Sequence, residues 1–437
     1  MGRLKYSIFC LAIILGATCG RGQDQPPYEL PPINYSAAQP HDPVSNLQAR
    51  IKQGLFHPGQ RDRDVVQALL SELKIPRESQ VLVFSKTSLQ RQHIRPEHPR
   101  SLFFTDTCYV GWVPGGLIEL TTIDPVIGPV FYAVTPETLR SDPIQAINRD
   151  QDCLRCHGGT FVRDIPGLFV RSLFTDEDGE PLLRHGSEVV TQATPFADRW
   201  GGWYVTGKHG SALHRGNTIA SEKNDRLVVD FQKGANITNL NPFFPTEEYL
   251  TDSSDIIALL VLEYQTTVQN VLTHAAINSR RMMDYQKNLQ IGFKETITAE
   301  PAYDSVKSVF DSTAEEIVDN FLYKDEAGLP AGLEGDPAFQ GAFQKNARPA
   351  KDGSSLKDFN LHGHLFQNRC SYLIYSETFL QLPGPLKTRV YQRLVKALSP
   401  ATPDPRYAYL DADERTRISK ILRQTHAEFK KFTANKP

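Results

Sequence analysis

The spacing of hydrophobic and polar residues changes twice along the chain. Between residues 80 and 135, short apolar and aromatic runs alternate with turn residues, a pattern that predicts the strands of a sheet. From Ile256 to about Leu289, apolar residues recur at helical spacing and predict one long helix. Further helices are predicted at 365–380, 385–398 and 411–432. We therefore predict an α+β fold in which a β-rich N-terminal region packs on a helical C-terminal region.

The chain divides into four predicted segments, according to this pattern and to local composition. They are a signal peptide at 1–22, a Pro-rich arm with a short helix at 23–62, a β-rich domain at 63–250 and a helical domain at 251–437. The formal net charge of −2 over 437 residues does not indicate nucleic-acid binding. No nucleic-acid partner is therefore predicted.

The first residues are typical of an exported protein. Residues 1–22 combine a basic start, a short apolar run and small residues, which is the pattern of a cleaved signal peptide. Residues 16–19 also resemble a lipobox in which Cys19 would carry lipid, although Thr18 departs from that pattern. We expect a periplasmic or outer-membrane-associated protein whose only membrane contact, if Cys19 is modified, is an N-terminal lipid anchor.

The β-rich domain contains a motif with a specific chemistry. Residues 153–157 read C-x-x-C-H, the attachment signature of c-type haem. In that signature two thiols bond to haem and the histidine binds the iron. A C-x-x-C pair also occurs as half of a zinc site or as a redox dithiol, but the chain has no second C-x-x-C. We predict one covalent haem c, attached to Cys153 and Cys156, with His157 as the proximal iron ligand.

Three further segments carry a family resemblance. VFSKTSL at 83–89, RWGGWYVTG at 199–207 and CSYLIYSE at 370–377 resemble segments of a family of secreted bacterial proteins classed as cytochrome c domain proteins. The likeness covers most of the mature chain and implies the cofactor class, but no particular reaction. The chain differs from the small all-helical cytochromes c, because its only methionines after the signal peptide are Met282 and Met283, far downstream of the motif. We therefore do not expect the small all-helical fold.

A glycine-rich and aromatic stretch at 200–217 is the candidate for the other side of the iron. Glycines let the backbone approach a flat cofactor, and aromatic rings can cover its faces. We predict His209 or His214, in that order, as the distal ligand, with Trp203 beside the haem. Arg199 is predicted to pair with a haem propionate. The alternatives are a glycine-rich surface loop with packed tryptophans and an ordinary surface arginine.

Two cysteines remain outside the signal peptide and the motif. They are Cys108 and Cys370, and the chain has six cysteines in total. In an oxidising compartment such a pair forms either a disulfide or two separate buried thiols. The sequence leaves both alternatives open.

The sixth position on iron decides between two functions. A histidine there favours electron transfer with a redox partner protein, whereas an open position favours a haem-dependent oxidoreductase or a sensor of small ligands. The chain is far longer than a pure electron carrier needs, so most of it must shape a pocket, dock a partner or sense a ligand. We predict an exported monohaem c-type cytochrome in electron transfer, with the oxidoreductase or sensor as the alternative.

Overall fold

The structure, a computed structural model, describes residues 25–400, 402 and 404–434. The predicted signal peptide at 1–22, including Cys19, lies outside these residues. The α+β prediction is confirmed, because a sheet-rich N-terminal region is followed by a helical C-terminal region. Among the described residues, no helix is both long and apolar enough to cross a membrane.

The described helices concentrate in the second half of the chain. They are α1 (Pro43–Lys52), α2 (Asp62–Glu72), α3 (Pro136–Arg140), α4 (Leu154–His157), α5 (Ile256–Gly292), α6 (Asp304–Phe321), α7 (Pro337–Gln344), α8 (Glu377–Leu380), α9 (Gly384–Ala397), α10 (Ala412–Thr425) and α11 (Ala427–Ala434). Helix α5 confirms the predicted long helix, and its first turn is capped by the Asp255 carboxylate, which accepts the Ala258 N–H. The predicted helix at 365–380 is shorter, since only a 3₁₀ turn at 372–375 and α8 form there.

Strands occupy the first half of the described chain. They are β1 (Val81–Val83), β2 (Arg100–Phe104), β3 (Cys108–Trp112), β4 (Ile118–Asp124), β5 (Gly128–Val134), β6 (Asn148–Arg149), β7 (Val170–Leu173), β8 (Ser187–Val190), β9 (Trp203–Tyr204), β10 (Ser221–Lys223) and β11 (Arg226–Val228). Seven of them form an antiparallel sheet in the order β6-β5-β4-β3-β2-β1-β9. β7 pairs with β8 and β10 pairs with β11, each as a separate two-stranded sheet.

The large sheet has a different core on each face, because successive side chains of a strand point to opposite sides. One face, which includes Val110 and Leu120, packs on α1, α2 and the Pro-rich arm. The other face, which includes Tyr109 and Phe131, belongs to the same core as α5 and the C-terminal helices. The core is therefore continuous across the predicted domain boundary at residue 250.

Cys108 and Cys370 are separate buried thiols. Neither is in a disulfide. They also belong to different cores, Cys108 to the one against the N-terminal helices and Cys370 to the one around α5. Burial raises the pKa of the Cys108 thiol to about 12, which keeps it protonated and unreactive at neutral pH.

Candidate functional site

A cleft lies between the large sheet and the segment that carries the C-x-x-C-H motif. Cys153, Cys156 and His157 all line it. The space between its protein atoms is about 1240 Å³, including the part that is open to solvent.

One face of the sheet forms the floor of this cleft. The pairing register places Glu119 opposite Gly111 and Thr121 opposite Tyr109, so side chains from adjacent strands share that face. The floor consists of Val83, Arg100, Leu102, Tyr109, Gly111, Glu119, Thr121, Phe131 and Trp203. Residues 168–171, together with Leu262 and Thr266 of α5, line other parts of the cleft. Most of these side chains are apolar, which suits the flat face of a macrocycle.

The motif folds as a short helical unit that presents both cysteines. The Asp150 carboxylate accepts the Asp152 N–H and starts a 3₁₀ turn, which continues directly into α4. Cysteines three residues apart lie on the same side of a helical turn. Gly158 ends α4 where a larger residue has no room, since a Cβ there would lie 2.8 Å from the Tyr28 hydroxyl and 2.9 Å from the Leu154 carbonyl oxygen.

The imidazole of His157 is held with one ring nitrogen available. Its Nδ1 lies 2.9 Å from the Gly167 carbonyl oxygen, which can only accept, so Nδ1 carries the proton and Nε2 the lone pair. The rings of Phe131 and Phe169 flank it, each with its centroid 5.0 Å away. Desolvation by these neighbours lowers the pKa of His157, so the ring is neutral at neutral pH. A neutral imidazole with a free Nε2 is the form that binds iron.

Helix α5 fixes the backbone that holds this imidazole. The amide of Asn270 accepts the Leu168 N–H at 2.8 Å and donates to the Leu168 carbonyl. A Cβ at Gly167 would lie 2.7 Å from the Cβ of Val162 and 2.9 Å from the Asn270 amide oxygen, so only glycine fits there. Sequence reasoning missed both Gly167 and Asn270, and no local pattern marks them, because they are about a hundred residues apart.

Of the two motif cysteines, Cys153 does not have the lowered pKa of a reactive redox thiol. They are not joined in a disulfide, and Cys153 is half-buried while Cys156 is exposed. Burial raises the pKa of Cys153 to about 12, whereas reactive dithiols have a thiol of lowered pKa. Among the described residues, no three His, Cys, Asp or Glu side chains converge as a group that could hold a metal ion.

Arg199 and Trp203 were also predicted to contact the cofactor, and of these two only Trp203 lines the cleft. Its indole Nε1 donates to the Arg171 carbonyl at 2.7 Å, which fixes the ring in the cleft wall. Arg199 is fully buried and forms an ion pair with Glu263 of α5, and its Nη2 donates to the Gln192 carbonyl. A guanidinium that is used in this way is not available to a propionate.

The predicted distal ligands do not line the cleft either. His209 uses both ring nitrogens, since Nδ1 donates to the Ala212 carbonyl at 2.7 Å and Nε2 accepts the Asn236 N–H at 2.9 Å. The Nδ1 of His214 accepts the Gly216 N–H at 3.0 Å, and its ring lies 4.6 Å from that of His209. Burial, followed by the neighbouring His209, lowers the pKa of His214 to about 3. Both imidazoles are thus buried away from the cleft lining: His209 is hydrogen-bonded at both ring nitrogens, whereas the Nε2 of His214 has no hydrogen-bond partner among the described residues.

Comparison of the chain with protein-family models, with curated proteins and with solved structures found no match.

The chemistry of the cleft follows from its own side chains. Among the described residues that line it, His157 is the only histidine and there is no methionine. Its charged side chains are Arg171, which stacks on the Phe161 ring, and the ion pair of Arg100 with Glu119. The arrangement offers one neutral imidazole with a free Nε2, two thiols and a separate pair of hydrogen-bonding groups.

Proposed function

We propose that this protein is an exported monohaem c-type haem protein whose iron binds a small molecule. Cys153 and Cys156 would hold the haem through thioether bonds, and the Nε2 of His157 would bind the iron. One observation carries the proposal: all three side chains line one cleft, and the imidazole is neutral with Nε2 free. When bound, haem supplies an iron that changes its oxidation state or binds a small ligand.

Ligand binding is preferred over simple electron transfer because of the rest of the cleft. In the described lining no second histidine and no methionine stands beside His157. These two residue types are the usual second iron ligands of electron-transfer cytochromes. The haem-dependent oxidoreductase or small-ligand sensor is therefore our first proposal.

Electron transfer with a redox partner protein is the second candidate. Cys156 is exposed, so a haem attached there would reach the surface with one edge. The neighbouring Arg155 and Asp152 are also exposed, with 74% and 69% of their side-chain surface accessible. A partner could approach this edge, and an oxidoreductase would also need such a route for electrons.

Covalent attachment is the first test. Protein expressed in a host with cytochrome c maturation should show a haem band that survives denaturing electrophoresis. The double variant Cys153→Ala/Cys156→Ala should lose that band, because both thioether bonds are removed. Cys108→Ala and Cys370→Ala are matched controls that should keep it. A band that persists in the double motif variant would refute the proposal.

The spin state of the iron separates the two candidates. If the sixth position on iron is open to small molecules, the ferric protein without ligand should be high-spin. The ferrous protein should then bind carbon monoxide quickly. His209→Ala and His214→Ala should leave this spectrum unchanged, since neither imidazole lines the cleft. A low-spin, six-coordinate spectrum that becomes high-spin in one of these variants would instead support the electron carrier with that histidine as ligand.

Export is tested at the N-terminus. Mass spectrometry of the protein from its native host should find a mature start between about residues 17 and 25. A diacylglyceryl mass on Cys19 would establish the lipid anchor. An intact Met1 on a cytoplasmic protein would contradict both export and the resemblance to secreted cytochrome c domain proteins.

A further inference from the structure

An ion pair lies on the floor of the cleft, among mainly apolar side chains. On β3, Gly111 pairs with Glu119 of β4 on one side and with Leu102 of β2 on the other. The side chain of Arg100, two residues before Leu102 on the same face of β2, reaches over Gly111 to Glu119, and all three residues of this contact line the cleft. The Nε of Arg100 donates to Glu119 Oε2 at 2.7 Å, and its Nη2 contacts the same oxygen. Only 17% and 20% of the two side chains is exposed, so water solvates the pair poorly.

Part of the hydrogen-bonding capacity of this pair is not used by the protein. Among the described residues, only the Ser88 hydroxyl donates to Glu119 Oε1, at 3.3 Å. The Nη1 of Arg100 has no hydrogen-bond partner among the residues that the structure describes. Partly buried charges are costly unless their remaining donors and acceptors are satisfied. The pair thus offers one acceptor and one donor to whatever enters the cleft.

The position of the Arg100–Glu119 pair indicates which edge of an attached haem would lie near it. Glu119 and Cys153 also line a second hollow, which shares Leu89 with the cleft, so the pair lies near the attachment end of the motif. In haem the vinyl groups, which the cysteines bond, and the propionates occupy opposite edges of the ring. A pair near Cys153 would therefore lie on the vinyl side of an attached haem, away from its propionates.

We propose that Arg100 and Glu119 bind a small, neutral, protic molecule in the cleft, of the class of hydrogen peroxide or hydroxylamine. Such molecules both donate and accept hydrogen bonds, which matches a guanidinium beside a carboxylate. The pair has no net charge, and its carboxylate disfavours a simple anion. This inference rests on the proposed function and names the ligand class for the same site.

The absence of a side chain at Gly111 leaves room for the Arg100 guanidinium. A Cβ at this position would lie 2.3 Å from Arg100 Nη2 and 2.8 Å from its Cζ. The strand backbone itself accepts alanine, and the obstructing atoms are the end of a flexible side chain. Gly111→Ala should therefore displace the guanidinium without changing any charge.

Hydrogen cyanide is the probe, because it is neutral at neutral pH and loses its proton when it binds ferric haem. Stopped-flow rates on the ferric protein should show about tenfold slower association or more in Glu119→Gln, since a positioned proton acceptor contributes about 10²–10⁴-fold. Arg100→Leu and Gly111→Ala should each release cyanide about tenfold faster, because a charge-assisted hydrogen bond to the bound ligand is lost. Carbon monoxide binds ferrous haem without a proton and should bind all variants at nearly the wild-type rate.

The surface variant Glu72→Gln, which breaks an exposed ion pair with Arg50, is the matched control and should change neither rate. Cyanide kinetics in Glu119→Gln equal to wild type, or a parallel loss of carbon monoxide binding, would overturn the inference. If Glu119→Gln does not fold, Arg100→Leu and Gly111→Ala decide, since an unchanged rate of cyanide release in both would also overturn the inference. Absence of covalent haem in the wild type would refute the proposed function instead.

Discussion

Two histidines of this protein, His157 and His214, differ in the hydrogen bonds that their rings form. His157 and His214 are both neutral because their surroundings lower their pKa. His157 donates through Nδ1 to a backbone carbonyl and keeps Nε2 for a ligand on the cleft side. His214 is buried in a loop, where its Nδ1 accepts a backbone N–H and its ring packs on His209. Burial and tautomer, rather than residue type, therefore separate the candidate ligand from the packing residue.

The low pKa of His214 predicts a pH dependence of stability. Its pKa is about 3 in the folded protein against 6.5 as its ordinary value. Between these pH values the unfolded chain binds a proton that the folded chain does not, so stability falls as the pH is lowered. His214→Phe should reduce this slope by about 1 kcal/mol per pH unit, measured by denaturant unfolding at several pH values. The exposed control His362→Phe should leave the slope unchanged, and an equal effect of both variants would contradict the assignment.

The buried ion pair of Arg199 predicts that replacing this residue lowers the stability of the protein and leaves haem attachment unchanged. Its partner Glu263 is fully buried, and burial raises the pKa of that carboxyl group while Arg199 opposes the shift. Arg199→Met should lower the free energy of unfolding by about 3–5 kcal/mol, because it leaves a buried carboxyl group unpaired. The double variant Arg199→Met/Glu263→Leu should recover part of this loss. Arg50→Met, at an exposed pair, should cost less than about 1 kcal/mol, and a similar cost at both sites would contradict the prediction.

Helix α5 organises the site at the scale of secondary structure. Nearly every side chain between Ile256 and Ser279 is buried, since the helix lies between the sheet and the C-terminal helices. Leu262 and Thr266 line the cleft, and Asn270, one turn further on, holds the backbone at Leu168. The helix therefore supplies a wall of the cleft and also positions the carbonyl that orients His157.

Asn270→Ala tests this coupling between the helix and the imidazole. The variant should keep its covalent haem, since neither cysteine is touched. Acid should displace His157 from the iron at higher pH than in the wild type, because a less restrained imidazole competes less well against protons. An optical titration of the ferric protein measures the midpoint. Asn278→Ala, on the same helix with its amide against His274, is the control and should not shift it. Equal midpoints in Asn270→Ala and wild type would contradict the coupling.

At the scale of the whole molecule, one core joins the sheet to the helices. Val83 and Phe131 of the sheet belong to the same cluster as Phe310 of α6 and Leu394 of α9. The predicted domains at 63–250 and 251–437 are therefore not independent packing units. A sheet-rich piece without α5 would expose the face that forms the cleft floor.

This shared core predicts a single unfolding transition. The three tryptophans, Trp112, Trp200 and Trp203, all lie in the sheet-rich half, whereas most helix lies after residue 255. Tryptophan fluorescence therefore reports the first half and far-ultraviolet circular dichroism mainly the second. Their denaturant midpoints should coincide. Two separate midpoints would show that the halves unfold independently.

The sequence by itself determined the elements and the motif, because these depend on neighbouring residues. Strand runs, the period of α5 and the C-x-x-C-H spacing are all local patterns, and they were enough to predict the α+β class and the set Cys153, Cys156 and His157. Trp203 was also predicted, and it does line the cleft.

Only the tertiary structure decided which other groups meet the motif. Arg199 and the two loop histidines have suitable side chains, but Arg199 is paired with Glu263, and both histidines are buried away from the cleft lining. Arg100 and Glu119 gave no signal in the sequence, because they become neighbours only where β2, β3 and β4 pair and the Arg100 side chain reaches over Gly111. Gly167 and Asn270 meet through the packing of α5 against a distant segment. Contacts of this kind are set by sheet register and helix packing, and no local pattern of residues encodes either.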